Sequence, residues 1–351
     1  EYWDVGNEIS FMKNANWDGN EPAFDRLVLR QIPESAQIQN AFEVGDVDIA
    51  FMFSDDLVEG YQAFDGAEVF STPGVYGDAI WMNYGNNDEG SPLEDVNIRM
   101  AIVHAIDRGT LAEELIGPGT DIPKSWLSSQ FWPEDLGLIE YDPVKAEEML
   151  DAAGYPRPAD DPEGIRVNAD GQQLIFRFFT TTRQLRMDYQ VFIESYLADV
   201  GIKVQLMPIQ AGYLFDSFLN RGVLKTGSFD LAIFALSSGP LSPMFDADSW
   251  YGCSGIPGPD NTAGNNGWGF CSPEFDEADV MVGTTVNPDE RMEYAYTAQR
   301  EFFNAQFWHG LYLRPTWYAF NTDAVDVSTV GDLGTLSSNY FNHIEDWQPA
   351  N

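Results

Sequence analysis

Three short apolar segments and two segments with helical spacing alternate in the middle of this chain. In order, they cover residues 174–179, 184–199, 202–207, 211–221 and 229–234. Apolar runs of strand length that are separated by helical patterns predict a βαβαβ run with parallel strands in an open sheet. Ligands of such sheets bind at the carboxyl ends of the strands, which here are the loops that begin near Thr180, Pro208 and Ala235.

A similar pattern near the start of the chain predicts another strand, helix and strand. Residues 25–32 alternate as a strand that ends at Pro33. Ser35 is the expected N-cap of the following helix, and Gly45 is its expected left-handed stop. Because residues 48–53 then form a short buried strand, this βαβ order predicts a locally parallel or mixed sheet.

Further helices are indicated by apolar spacing and by capping residues. They cover residues 95–108, 107–115, 142–154, 274–282 and 289–307. Asp107 and Asp142 are the expected N-caps of two of them, and Pro143 suits the first helical position. Residues 311–320 read as a strand, and Pro315 inside it predicts a sheet edge or a break.

The order of the elements predicts an α/β protein, and the composition predicts more than one core and disfavours anionic partners. The chain has 351 residues, 44% of them hydrophobic, which is enough for two domains. Its 56 acidic and 18 basic residues give a formal net charge of −38. A surface this negative repels phosphate backbones, so we expect no nucleic-acid partner. No window reaches the roughly 18 apolar residues of a membrane span.

Cys253 and Cys271 are the only two cysteines, and the loop between them is rich in Gly, Pro and Asn. We expect them to form a disulfide that staples this loop, the alternative being two free buried thiols. A disulfide would indicate an oxidising, extracytoplasmic setting. No Cys-x-x-Cys occurs and the three histidines lie in unrelated contexts, so we expect no metal site and no cofactor.

Six ordered segments resemble one family. They are residues 40–50, 95–108, 141–156, 200–208, 227–233 and 272–276, and they include Asp-Val-Asn-Ile-Arg-Met-Ala-Ile-Val-His-Ala-Ile-Asp-Arg at 95–108. The chain resembles the solute-binding proteins of peptide and nickel ABC importers, bacterial solute-binding protein family 5. The resemblance implies a periplasmic-binding-protein-like fold with two lobes and open mixed sheets. Residues 1–84 with 312–351 would form one lobe and residues 85–311 the other, the chain being incomplete at its N-terminus.

The same resemblance implies a function without catalysis. Such a protein captures an oligopeptide or similar small solute between its lobes and delivers it to the permease subunits of an ABC importer. It would act as a monomer in the periplasm or at the cell surface, lipid-anchored through the missing N-terminus. An oligosaccharide-binding member of the family and a scaffold protein derived from it remain the alternatives.

Aromatic planes and a few aimed polar groups are the expected ligand contacts. The candidates are Trp81, Asn83, Tyr84, Arg183, Ser237, Ser238, Trp250, Tyr251, Trp268 and Trp317. Glycines on both sides of Trp268 predict that it protrudes from the stapled loop. The alternative for the aromatic candidates is that they are core residues, and the alternative for Asn83 is that it is a turn residue. Peptide-binding relatives hold an aspartate for the ligand's amino group where Ser237 and Ser238 stand here, which weakens a free-amine peptide as the ligand.

An enzyme is the least favoured class. Paired carboxylates and aromatic residues also describe glycosidases, but acidic residues are so abundant here that such a pair arises by chance. No nucleophile elbow, zinc-protease motif or phosphate loop occurs. We therefore expect no catalytic residues.

Overall fold

The chain divides into two compact units, of which unit 1 is residues 1–75 with 314–351 and unit 2 is residues 76–313. The computed structural model describes residues 1–52, 57–86, 90–117, 120–125, 132–237, 250–331, 341 and 343–350. The divisions fall within two strands, β5 (Ala67–Met82) and β9 (Trp308–Asn321). The sequence predicted the first division after residue 84, whereas the two units divide between Val75 and Tyr76, so Trp81 and Tyr84 belong to unit 2.

Unit 1 begins with an antiparallel sheet in the strand order β1-β2-β3. The elements of this unit up to β5 are β1 (Tyr2–Asp4), β2 (Glu8–Met12), β3 (Arg26–Arg30), α1 (Ser35–Glu43), β4 (Ile49–Met52) and α2 (Val58–Gln62). Near the end of the chain, β10 (Val325–Asp326) pairs with β11 (Gln348–Pro349). Aromatic residues around Tyr318, Phe320 and Trp347 form a core of this unit.

The prediction that the first strand, helix and strand form one βαβ unit is wrong, although β4 belongs to a mixed sheet. β3 pairs antiparallel with β2, and β4 pairs antiparallel with β9, where Ile49 lies opposite Phe320. The intervening helix α1 is present and Gly45 follows it at a φ of 76°, but its N-cap is Glu34 and makes no side-chain capping bond. The partner of β4 comes from the other end of the chain, which local spacing does not reveal.

Unit 2 contains the predicted βαβαβ run. It consists of β6 (Ile175–Thr181), α6 (Gln184–Asp199), β7 (Lys203–Ile209), α7 (Ala211–Leu214) and β8 (Leu231–Ser237). β6 is parallel to both β7 and β8, while β5 pairs antiparallel with β8. The prediction of an α/β fold with a mixed sheet is therefore confirmed.

The helix α7 is much shorter than the predicted 211–221. The chain turns back after Leu214, and Arg221 adopts a left-handed φ of 62°. A Cβ atom at Gly222 would lie 2.0 Å from the carbonyl oxygen of Asp216, so the backbone packs too closely there for a continuing helix. Tertiary packing of this turn overrides the apolar spacing.

The remaining helices of unit 2 are α3 (Val96–His104), α4 (Arg108–Leu115), α5 (Pro143–Ala152), α8 (Pro273–Thr284) and α9 (Pro288–Ala305). The carboxylates of Asp107 and Asp142 accept the backbone N–H groups of Thr110 and Lys145, as their N-cap positions predicted. In the described part of the chain, no helix combines the length and apolar character of a membrane span.

Cys253 and Cys271 form a disulfide, with their Cα atoms 4.4 Å apart. Replacing both cysteines by Ser is expected to lower the free energy of unfolding by about 3 kcal/mol, because the open loop regains conformational entropy in the unfolded chain. Chemical denaturation of the variant and of reduced wild-type protein should give the same lowered midpoint. An unchanged midpoint in both would contradict a stapling role.

Candidate functional site

The carboxyl ends of three parallel strands meet at one edge of the sheet in unit 2. Thr181, Ile209 and Ser237 are the last residues of β6, β7 and β8. Tyr76 of β5 lies opposite Ser237, because β5 runs antiparallel to β8. This edge is where the topology of an open sheet predicts ligand binding.

Exposed aromatic side chains lie on or beside this edge. Tyr76 is 43% exposed on β5, and Tyr213 and Phe215, which follow β7, are 68% and 44% exposed. The ring of Phe215 packs edge-on against Phe234 of β8 at a centroid distance of 5.5 Å, which positions it. Exposed rings on a fixed framework are suited to contact a ligand with apolar or ring surfaces.

The N-terminus of α6 opens at the same edge, directly after β6. Arg183 is the N-cap residue, is half-buried and makes no side-chain capping bond. Its carbonyl oxygen accepts the N–H groups of Arg186 and Met187 in the first turn. The positive end of the helix dipole lies at this edge, and Arg183 adds a positive charge to the same segment; each favours an anionic group of a ligand.

A buried ion pair supports this edge from inside. Arg186 Nε donates to Asp78 Oδ1 at 2.6 Å, and Arg186 Nη1 donates to Thr181 Oγ1 at 2.9 Å. The Asp78 side chain is fully buried and that of Arg186 is 7% exposed. The pair ties β5 and β6 to the start of α6, so it fixes the position of the edge.

Asp78, Arg186, Tyr76 and Tyr213 were not among the candidates that the sequence indicated. The sequence does contain a signal for Asp78, because this residue interrupts the apolar run of a buried strand. A buried carboxylate without a partner would be costly there, so a cationic partner is expected. Its partner is 108 residues away in sequence, so no local pattern reveals the pair.

The predicted aromatic contacts lie mostly inside the core of unit 2. Trp81 stacks on Phe234 at 4.7 Å and contacts Trp268 at 4.3 Å between ring centroids. Trp81 also donates from Nε1 to the carbonyl oxygen of Phe234 at 3.1 Å. Trp81, Tyr251 and Trp268 are 0%, 3% and 1% exposed. In this conformation they have no surface for a ligand, which agrees with the alternative that they are core residues.

The prediction that Trp268 protrudes is wrong, and its flanking glycines explain why. A Cβ atom at Gly269 would lie 2.2 Å from the backbone carbon of Gly85, and one at Gly267 would lie 2.1 Å from a backbone oxygen. The glycines therefore permit close backbone packing, which seals the Trp268 ring in the core. The Trp268 carbonyl accepts hydrogen bonds from the N–H groups of Tyr84 and Gly85.

Asn83 organises the end of β5 and does not face solvent. Its Nδ2 donates to the carbonyl oxygens of Gly227 and Phe229 at 3.0 and 3.1 Å, and its Oδ1 accepts the N–H group of Asn86. The side chain is fully buried, so the turn role is the one that the structure supports.

Tyr84 is half-buried beneath the guanidinium of Arg99, which lies 4.0 Å from the centroid of the Tyr84 ring. Burial raises the pKa of Tyr84 to about 12.

Four other candidates remain predictions. Trp250 is half-buried and lies 6.4 Å from Trp268 between ring centroids, and Trp317 is half-buried in β9 of unit 1. Ser237 ends β8 at the candidate edge. Ser238 lies outside the described residues.

A larger concavity, of about 1010 Å³, lies within unit 1 and has mainly apolar walls. The basic side chains in its wall, Lys13, Arg26 and Arg30, pair with acidic neighbours. Its wall also carries Asp46 and Asp48, so polar groups remain beside the apolar area. The edge of unit 2 differs in combining exposed rings with a positively charged helix start.

The candidate edge offers ring surfaces and positive charge, while the carboxylate of Asp78 is occupied by Arg186. In the described ranges, no group of three or more His, Cys, Asp or Glu side chains is placed to hold a metal ion. The arrangement is suited to holding a solute.

Comparison with known proteins identifies a family for more than half of the chain. The family model of the bacterial extracellular solute-binding proteins, family 5 Middle, matches residues 1–258. The oligopeptide-binding protein OppA of Mycobacterium bovis is 25% identical over 262 residues, which cover 72% of this chain and 43% of that protein. The chain thus spans less than half the length of this curated relative.

Solved structures share the fold. NikZ from Campylobacter jejuni, in complex with Ni(L-His), has a TM-score of 0.72 and 18% identity, with 99% of this chain and 66% of that chain covered. AppA from Bacillus subtilis, in complex with a nonapeptide, has a TM-score of 0.68 and 19% identity, with 100% and 66% covered. Such identities support a common architecture.

Proposed function

We propose, since this chain belongs to the bacterial extracellular solute-binding proteins of family 5, that it binds a small solute and delivers it unchanged to an ABC importer permease. The observation that carries the proposal is the carboxyl edge of the sheet in unit 2. There, exposed Tyr76 lies opposite the last residue of β8, exposed Tyr213 follows β7, and the buried pair of Asp78 and Arg186 joins β5 to the start of α6. Such a framework holds a ligand by shape and charge.

A peptide or a similar small solute is the ligand class that we favour. OppA is named an oligopeptide-binding protein, and AppA was solved in complex with a nonapeptide. A peptide carries a carboxylate that suits Arg183 and the N-terminus of α6, and side chains that suit exposed rings. The disulfide supports an extracytoplasmic location. Attachment through a lipid and a monomeric state remain predictions.

An oligosaccharide is the second candidate. Tyr76 and Tyr213 present exposed rings of the kind on which sugars stack, and Asp78 is already paired with Arg186 and is not offered to a ligand ammonium. A neutral sugar needs no such carboxylate.

Thermal unfolding with pools of short peptides and of oligosaccharides tests the function. A ligand at about a hundredfold excess over its Kd should stabilise the protein by about 2.7 kcal/mol, and only one of the two pools should do so. Stabilisation by neither pool would favour a scaffold protein. Conversion of any bound solute would indicate an enzyme.

Replacing Arg183 by Gln is expected to weaken binding of a peptide with a free C-terminal carboxylate by roughly tenfold or more. A hydrogen-bonded charge contributes about 1.5–3 kcal/mol, and this contact would be lost. Calorimetric titration with the free peptide and with its C-terminal amide separates the roles, because the variant should bind the amide as the wild type does.

Arg291→Gln is the matched control, since Arg291 is an exposed arginine on α9, outside the strands and loops of the carboxyl edge. Equal losses of affinity for the free peptide and for the amide would contradict a carboxylate contact by Arg183.

A further inference from the structure

A small pocket in unit 2 lies where the start of α4, the end of α9 and the start of β9 meet. Its volume is about 20 Å³, enough for one water-sized species. Its polar side chains are Arg108, Lys124 and His309, and the rest of the described lining contains no carboxylate. In a chain with a formal charge of −38, this is a local concentration of positive charge.

Arg108 supplies a buried charge whose hydrogen bonds, among the described residues, go to neutral groups. Its side chain is buried, and its guanidinium donates to the carbonyl oxygens of Gly310 at 3.1 Å and Ile139 at 2.9 Å. These bonds use two of the five N–H donors of a guanidinium. Burial lowers the pKa of Arg108 to about 10, which reflects the cost of its charge without a counter-ion.

His309 lines the same pocket and carries a buried polar atom. The side chain is 6% exposed, and its Nε2 atom has no hydrogen-bond partner among the described residues. The ring also bonds the backbone of Gln306. A buried polar atom without a partner costs about 1–3 kcal/mol, so a ligand that satisfies Nε2 is favoured.

We propose that this pocket binds a small inorganic anion of the size of chloride, held by Arg108 and His309 with Lys124 at the mouth. The anion would neutralise the buried guanidinium in a medium of low dielectric, where a water molecule leaves that charge uncompensated. The volume admits a halide and excludes larger anions such as gluconate. This site is separate from the carboxyl edge proposed for the solute.

Anion binding at this site is coupled to a proton on His309. Burial is the main cause that lowers the pKa of His309 well below its usual value, and the neighbouring side chains of Arg108, Arg99 and His104 add to it. Lys124 also lines the pocket. A bound anion offsets these charges and favours the imidazolium, which donates from Nε2. Chloride therefore binds more tightly as the pH falls.

Thermal unfolding in sodium chloride and in sodium gluconate at equal sodium concentration tests the proposal. We expect chloride, but not gluconate, to produce a saturable rise of a few degrees in Tm. The rise should be larger at about pH 5 than at about pH 7, because the pKa of His309 lies well below its usual value. Equal melting in the two salts at both pH values would overturn the site.

Two variants separate this pocket from a general salt effect. Lys124→Gln changes an exposed side chain at the mouth and should raise the chloride concentration at half effect several-fold. Lys203→Gln, at an exposed position on β7, is the matched control and should behave as the wild type. Identical chloride responses in both variants would contradict the proposal.

Crystals soaked in sodium bromide give a direct view. An anomalous peak within contact distance of Arg108 and His309, together with the chloride-specific rise in Tm, would support the site. Water alone in the pocket would overturn the proposal. A bromide peak without any chloride-specific stabilisation would mean an adventitious ion only, and would overturn it as well.

Discussion

Replacing Arg186 by Met is expected to lower the free energy of unfolding by about 3–5 kcal/mol, because Asp78 keeps its fully buried carboxylate but loses its cation. The change also removes the hydrogen bond to Thr181 at the end of β6. Urea denaturation followed by circular dichroism measures the loss. Solute affinity should fall too, because the pair positions the candidate edge.

The matched control is Arg300→Met, which breaks an exposed pair with Asp135 at 2.8 Å. An exposed pair contributes about 0–1 kcal/mol, so this variant should be nearly as stable as the wild type. A double variant, Arg186→Met with Asp78→Leu, should recover much of the lost stability because no unpaired charge stays buried. Similar small losses at Arg186 and at Arg300 would contradict the structural role of the buried pair.

Replacing Trp81 by Ala should cost about 3–5 kcal/mol in the free energy of unfolding. The ring is fully buried between Phe234 and Trp268, and its removal leaves a cavity in the core of unit 2. Trp81→Phe keeps a stacking ring and should cost less. Denaturant unfolding monitored by near-ultraviolet circular dichroism checks both values.

Trp3→Ala provides the same substitution at a residue that is 69% exposed, and its effect should be within about 0.5 kcal/mol. If Trp81→Ala were as mild as Trp3→Ala and instead reduced solute affinity, the original interpretation of Trp81 as a ligand contact would be restored.

Local chemistry was sufficient to predict much of unit 2. Asp107 and Asp142 cap their helices as their sequence positions indicate, and α6 covers the predicted 184–199. The βαβαβ run was predictable because its strands and helices are neighbours in sequence, so the short connections determine their arrangement. The carboxyl edge of the sheet followed from that topology.

Long-range contacts were not predictable from one sequence. The pairing of β4 with β9 and the ion pair of Asp78 with Arg186 join segments far apart in the chain. The glycines around Trp268 have two interpretations, an exposed loop or close backbone packing, and only the position of Gly85 decides between them. The exposed rings of the candidate edge were missed for the same reason, since exposure depends on what packs nearby.

Native mass spectrometry of the purified protein, followed by release and chemical identification of any retained solute, tests the central claim most directly. We predict one unaltered small solute per chain, whose affinity falls in a Tyr76→Ala, Tyr213→Ala double variant. The affinity should be unchanged in Tyr141→Ala, an exposed tyrosine at the start of α5. A solute that the wild type and both variants retain equally would contradict the account, as would a solute that is released chemically changed. A protein that neither retains nor rebinds any peptide or sugar would contradict it as well.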